Sequence, residues 1–236
     1  MQIFKNLLFV FSVLLLLGCS KIKPSGTIEV NNLSVKNFKK IALTGKFRAF
    51  YIHSDKNFVE VETYPNLFHN LKIEVKNQTL TIEEKRKVAT TDFYNVMIYS
   101  ATNPQNIALS DSVEFNVSSE INAKNLHISL KNNAKFIGSL RTDKTILEMK
   151  NTSLANFKGF SHSVDMKLAD TANLLAPYWQ IDNLKIDFKN GGYAEVQVKD
   201  SIKGKIQNTA KFLYYDDPVR AFQINKNTTV TNKKLN

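Results

Sequence analysis

The chain has 236 residues, 43% of them hydrophobic and 11% aromatic, with 32 Lys and Arg against 21 Asp and Glu for a formal charge of +11. This is too apolar for a disordered chain, and one cysteine excludes an internal disulfide, so the fold rests on buried apolar area and backbone pairing. The lysines stand singly apart from Lys85-Arg86-Lys87 and Lys233-Lys234, with no basic array interleaved with aromatics, which argues against a nucleic-acid groove.

Residues Leu7 to Leu17 are apolar apart from Ser12, follow a lone Lys5, and run into Leu16-Leu17-Gly18-Cys19. The stretch is shorter than the roughly 18 to 20 residues of a membrane span and reads as an export signal. Its end resembles the lipobox of bacterial lipoproteins. That resemblance implies cleavage between Gly18 and Cys19, lipidation of the Cys19 thiol, residues 1–18 as signal peptide and 19–26 as a tether. A plain signal peptide with a chance cysteine is the alternative. Removal of 18 residues from 236 leaves 218, the size of one all-β unit.

A single domain is expected over residues 27–218, beginning with a portion at 27–100 that reads as antiparallel. Ile41, Leu43, Phe47, Phe50 and Ile52, then Phe58, Val59 and Val61, mark strands. Leu71–Val75 and Thr79–Glu83, separated by Lys76-Asn77-Gln78, read as a hairpin. This portion is expected to cover one end of the region at 105–218.

Between residues 105 and 218 one pattern recurs. Asp111, Asn132, Asn151, Asp170, Asn190 and Asn208 follow one another at intervals of 21, 19, 19, 20 and 18 residues. Two places before each stands an apolar residue (Leu109, Leu130, Met149, Leu168, Phe188, Ile206), and four places after another (Phe115, Phe136, Ala155, Leu174, Ala194, Phe212). A period near 20 made of short alternating strands is the mark of a solenoid, whose coils bury their inner faces only by stacking. Such a perimeter, at about 3.3 Å per residue, holds two or three short strands, and the coils stack about 4.8 Å apart. Asn and Asp suit the corners because they tolerate left-handed backbone and bond their own chain in turns. The expected fold is all-β, a right-handed parallel β-helix of about six coils over 105–218; an antiparallel sandwich is the rival reading of the same strands. Residues 219–236, rich in Lys, Asn and Thr, read as a polar C-terminal tail whose last dozen residues fray.

Phe38–Phe47, Val59-Glu60-Val61-Glu62, Asn66-Leu67, Lys72–Val75 and Thr79–Ile82 together resemble the exported domains called putative auto-transporter adhesin, head GIN domain. The likeness covers residues 38 to about 218. It implies a lipoprotein of Bacteroidetes-type bacteria with a β-helical body and no established activity. Glycine-rich corners, common in that family, occur here only at Gly191-Gly192.

Catalytic signals are few. His53, His69, His127 and His162 are not at metal-ligand spacing, and no Gly-x-Ser-x-Gly elbow or phosphate-binding glycine loop is present. Asp165, Asp170, Asp182 and Asp187 fall in successive coils and leave a polysaccharide-acting enzyme as a minor alternative. The reading favoured is a non-catalytic, cofactor-free envelope protein, tethered by its lipid to the outer membrane and facing the periplasm, that binds a glycan, an envelope component or a protein. Self-association into a structural layer is the second reading, with the oligomeric state left open. Tyr178 and Trp179 are candidate ligand-stacking aromatics, Trp179 foremost, with burial of Trp179 at a corner as the plainer account. Asp111-Ser112-Val113, Asp170-Thr171-Ala172 and Asp200-Ser201-Ile202 resemble Bacteroidetes-type O-glycosylation acceptors, making Ser112, Thr171 and Ser201 candidate sugar sites.

Overall fold

A corner that must turn a strand through left-handed backbone restricts its residue to Gly, Asn or Asp, and the six predicted corners obey that restriction. In the computed structural model, which describes residues 21–234, Asp111, Asn132, Asn151, Asp170, Asn190 and Asn208 all have φ between 59° and 62°. They bond one another along the stack. Asn132 Nδ2 donates to Asp111 Oδ1 at 3.0 Å, the Asn132 amide to Asn151 Oδ1 at 3.3 Å, the Asn151 amide to Asp170 Oδ2 at 3.1 Å and Asn208 Nδ2 to Asn190 Oδ1 at 3.0 Å. The corners therefore form the expected column.

The body is a β-solenoid of about seven turns. Its strands are β8 (Asn106–Asp111), β9 (Glu114–Val117), β10 (Ile121–Leu130), β11 (Lys135–Met149), β12 (Leu154–Leu168), β13 (Asn173–Phe188), β14 (Tyr193–Ile206) and β15 (Lys211–Tyr215), each paired in parallel with the coil above and below. The register puts Leu109, Leu130, Met149, Leu168, Phe188 and Ile206 in one inward column, and Phe115, Phe136, Ala155, Leu174, Ala194 and Phe212 in another, all of them buried. Inside the stack a ladder of rings runs Phe115, Phe136, Phe157, Trp179, with centroids 5.1, 4.9 and 5.2 Å apart. Ring contacts at these distances add to the area each ring buries.

The expected antiparallel strands at one end are present, and within residues 27–100 β2 (Lys40–Gly45) and β3 (Arg48–His53), with β6 (Thr79–Glu84) and β7 (Tyr94–Ser100), also join the solenoid in parallel. The coil β2–β3 lies between β6–β7 and β8–β9, so stack order departs from chain order. Gly45, at φ 145°, is aligned with Asp111 and takes the corner position. Antiparallel pairing joins β1 (Glu29–Ser34) to β4 (Phe58–Thr63), β4 to β7 and β5 (Leu71–Lys76) to β6, and β1, β4 and β5 with the short helix α1 (Pro65–Phe68) cover that end. The hairpin β5–β6 turns through Asn77 and Gln78, both at positive φ.

At the other end, residues beyond 218 do not fray throughout. β16 (Val219–Ile224) pairs in parallel with β14, and β17 (Thr229–Lys233) with β15. Their side chains are largely solvent-exposed, so these edge strands carry the Lys, Asn and Thr that make a sequence look like a tail.

Candidate binding face

Each coil presents two outward rows, one on the strand leading into the corner and one on the strand leaving it. The leading row alternates in charge up the stack. Glu148, Lys167 and Asp187 succeed one another in register, as do Asp165 and Lys185. Lys167 Nζ lies 3.0 Å from Glu148 Oε1, and Lys185 Nζ 3.4 Å from Asp165 Oδ2. The Lys167 ammonium holds the Glu148 carboxyl below its ordinary value, with His127 adding to the effect. In the middle coils of this face opposite charges thus meet in pairs.

The trailing row differs. Its central outward column reads Phe50, Asn116, Ile137, Asn156 in register and, beyond a register shift between β12 and β13, Leu175, Glu195, Leu213, Thr231, so apolar and polar residues alternate along it. Ile137 is 42% exposed on it. A depression of about 480 Å³ along Asn116, Ser118, Ile137, Asn156 and Lys158 runs towards the later coils.

There the outward residues form a grid of three rows: Asn173 and Leu175 on β13; Tyr193, Glu195 and Gln197 on β14; Lys211, Leu213 and Tyr215 on β15. Glu195 lies at the centre. Tyr215 donates its hydroxyl to Glu195 Oε1 at 2.6 Å and Tyr193 its own to Oε2 at 3.1 Å, so both carboxylate oxygens are engaged. The carboxylate resists a second negative charge beside it. The hydrogen bond to Glu195 pushes the Tyr215 phenol up to about 12, with Tyr178 among the smaller influences; burial, then Glu195, raises Tyr193.

A bulge completes the grid. Between Ala176, opposite Val196, and Gln180, opposite Gln197, strand β13 carries Pro177-Tyr178-Trp179 with no counterpart on β14. Extra residues in one strand bend it and re-aim side chains. Tyr178 is turned outward and is 71% exposed, beside Lys158 in the register of β12. Trp179 is turned inward and fully buried, its indole N–H donating to Ser161 Oγ at 3.0 Å. The expectation that Trp179 leads a stacking surface is therefore corrected, because its ring fills the core against Phe157 and its one donor is satisfied there. Ser161 in turn joins Thr142 and Thr145 in a buried hydroxyl cluster.

The remaining candidates lie apart. Thr171 is exposed at its corner and donates to the Asn151 carbonyl at 3.1 Å; Ser112 is half-buried; Ser201 donates to Asn183 Oδ1 at 2.7 Å. Gly18 and Cys19 lie outside the described residues. His162 Nδ1 is 2.7 Å from Asp182 Oδ2, and the described residues contain no group of three His, Cys, Asp or Glu arranged to hold a metal. No helix among them is long and apolar enough to cross a membrane.

The family described as "Putative auto-transporter adhesin, head GIN domain" matches residues 37–218. Similar solved structures include a putative adhesin from Bacteroides fragilis NCTC 9343, with a TM-score of 0.79 and 17% identity over 91% of this chain and 100% of that one. Another putative adhesin, from Parabacteroides distasonis ATCC 8503, has a TM-score of 0.72 and 20% identity over 92% of this chain and 100% of its own. A putative lipid binding protein from Parabacteroides distasonis ATCC 8503 has a TM-score of 0.74 and 15% identity over 91% and 100%. Among curated proteins no match is found. At these identities the structures speak for the fold alone.

Proposed function

Since the chain belongs to the putative auto-transporter adhesin, head GIN domain family, we propose that it is an exported, non-catalytic binding module that meets its ligand on the trailing face. It is tethered to the outer membrane by lipid on Cys19 and faces the periplasm. The observation that carries the reading is the contrast between the two outward rows. On the leading face Lys167 pairs with Glu148 and Lys185 with Asp165, whereas the trailing face exposes Ile137 and Tyr178 and sets two phenols around one carboxylate. Exposed aromatic and aliphatic side chains on a rigid sheet lose unfavourable hydration when a partner covers them.

Photo-crosslinking residues placed singly in the full-length protein in living cells test this. Substitution at Ile137 and at Leu213 should give high-mass adducts, and substitution at Lys167 and at Lys203 should not. Equal yields from both faces, or none from either, contradict the proposal. For the tether, metabolic labelling with a fatty acid should mark the wild type and spare Cys19→Ser.

A further inference from the structure

We infer that the capped end of the solenoid is a membrane-docking face, a basic patch of Lys21, Lys23, Lys85, Arg86 and Lys87 that lies on anionic phospholipid head groups; this rests on the proposed lipid at Cys19 and adds to it a fixed orientation of the body. The chain just past Cys19 is held to that end. Ile22 forms a parallel bridge with Val88, its amide donating to the Lys87 carbonyl at 2.9 Å and its carbonyl accepting from the Ala89 amide at 2.8 Å. Its side chain packs against the core. Asn66, on α1, clamps the next residues: its Nδ2 donates to the Lys23 carbonyl at 2.8 Å and its Oδ1 accepts from the Ser25 amide at 3.0 Å. Asn70 holds the other side of the bridge in the same way, through the Arg86 carbonyl at 2.7 Å and the Arg86 amide at 3.1 Å. Ile22 is three residues from Cys19, a span of at most about 10 Å, so a lipid on Cys19 brings this end of the stack to the bilayer.

Charge says what the patch meets. Alternation about the bridge turns Ile22 and Val88 inward and leaves Lys21, Lys23 and Lys87 exposed, with Lys21 beside Lys87. Like charges side by side repel, and none of these three lysines has an ion pair or a side-chain hydrogen bond among the described residues. Lys85 donates to the His69 carbonyl at 2.9 Å and stays exposed. The carboxylates nearest in the chain are turned to other partners: Glu83 lies opposite Lys72 across β5–β6, and Glu84 packs against Gly45 beside Lys46. Counting both, five cations stand against two carboxylates over residues 21–23 and 83–87. The attraction of a basic cluster to anionic lipid fades within about 8 Å at physiological ionic strength, so it acts here only because the clamped bridge keeps the patch beside Cys19. The stack then rises from the membrane, with the leading and trailing faces at its sides and β16–β17 farthest away.

The test is depth quenching with the lipidated protein in vesicles. Cys19 is the one cysteine of the chain, so with its thiol acylated a fluorophore can be attached singly at Thr90→Cys, beside the patch, or at Thr229→Cys, on β17; both positions are exposed. The vesicles are phosphatidylcholine with or without phosphatidylglycerol, and each carries a trace of lipid spin-labelled at the head group. Phosphatidylglycerol should strengthen quenching of the label at position 90 by about twofold or more, added salt should remove the difference, and the label at position 229 should respond to neither. Lys23→Glu with Lys87→Glu should bring quenching at position 90 on the anionic vesicles down to the phosphatidylcholine level. Both lysines are exposed, so the pair should keep the wild-type unfolding midpoint. Equal quenching at position 90 on the two vesicles, quenching at position 229 as strong as at 90, or a variant pair that behaves as the wild type overturns the inference. If the wild type carries fatty acid and gives one of these results, the tether stands and the docked face falls. If it carries none, the tether falls and the docked face with it.

Discussion

The leading and trailing faces share one backbone, one core and one spacing, and differ only in what stands at their outward positions. On the leading face, opposite charges in register satisfy each other, as in Lys167 with Glu148 and Lys185 with Asp165. On the later coils of the trailing face phenols, aliphatics and amides stand among the outward residues, and the central carboxylate, Glu195, bonds tyrosines instead of lysines. A solenoid thus separates the residues that make the fold, which point inward, from those open to function, and two neighbouring faces can be compared with the fold held constant.

The largest expected effect falls on what the faces share. Phe136→Ala removes a rung from the ring ladder and should cost about 3–5 kcal/mol in urea unfolding, disturbing both faces together. A loss confined to one face would show that the core does not couple them. Next comes the corner between them. Asn151→Ala puts a Cβ-bearing residue without a turn-bonding side chain at φ 62° and should cost about 1–2 kcal/mol, while Asn151→Gly should cost less.

Smaller effects separate the faces. Glu195→Gln should bring the Tyr215 phenol from about 12 back towards the ordinary value near 10, read as phenolate absorbance against pH. An unchanged titration would mean that Glu195 does not hold the trailing grid together. Smallest is Glu148→Gln on the leading face. The folded carboxyl titrates below its ordinary value, so its contribution to stability is present above that value and fades as pH falls through the folded one. The variant should flatten the acid limb of stability slightly and leave the neutral midpoint unmoved, since exposed pairs contribute little.

Legibility in the sequence followed the same division. The corners could be read because left-handed backbone restricts residue choice, and the inward columns because burial demands apolar residues at fixed offsets. Gly45 escaped because its coil is inserted between β6–β7 and β8–β9, so the spacing in number from Gly45 to Asp111 is not one period. The strands β16 and β17 escaped because the last coil has a neighbour on one side only and few buried positions, and an unpaired edge keeps polar residues. Alternation placed Tyr178 and Trp179 on opposite sides without saying which went in. Pro177, together with the additional length of that coil, was the available sign of a bulge. The grid of Tyr193, Glu195 and Tyr215 was hidden because Tyr215 meets Glu195 only across coils.

Nitration of tyrosines in intact cells and in the purified protein, followed by peptide mass spectrometry, tests the trailing face most directly. Tyr178, 71% exposed in the free protein, should react readily when purified and be shielded in its native envelope. Equal reactivity in both settings would contradict the assignment of that face to binding.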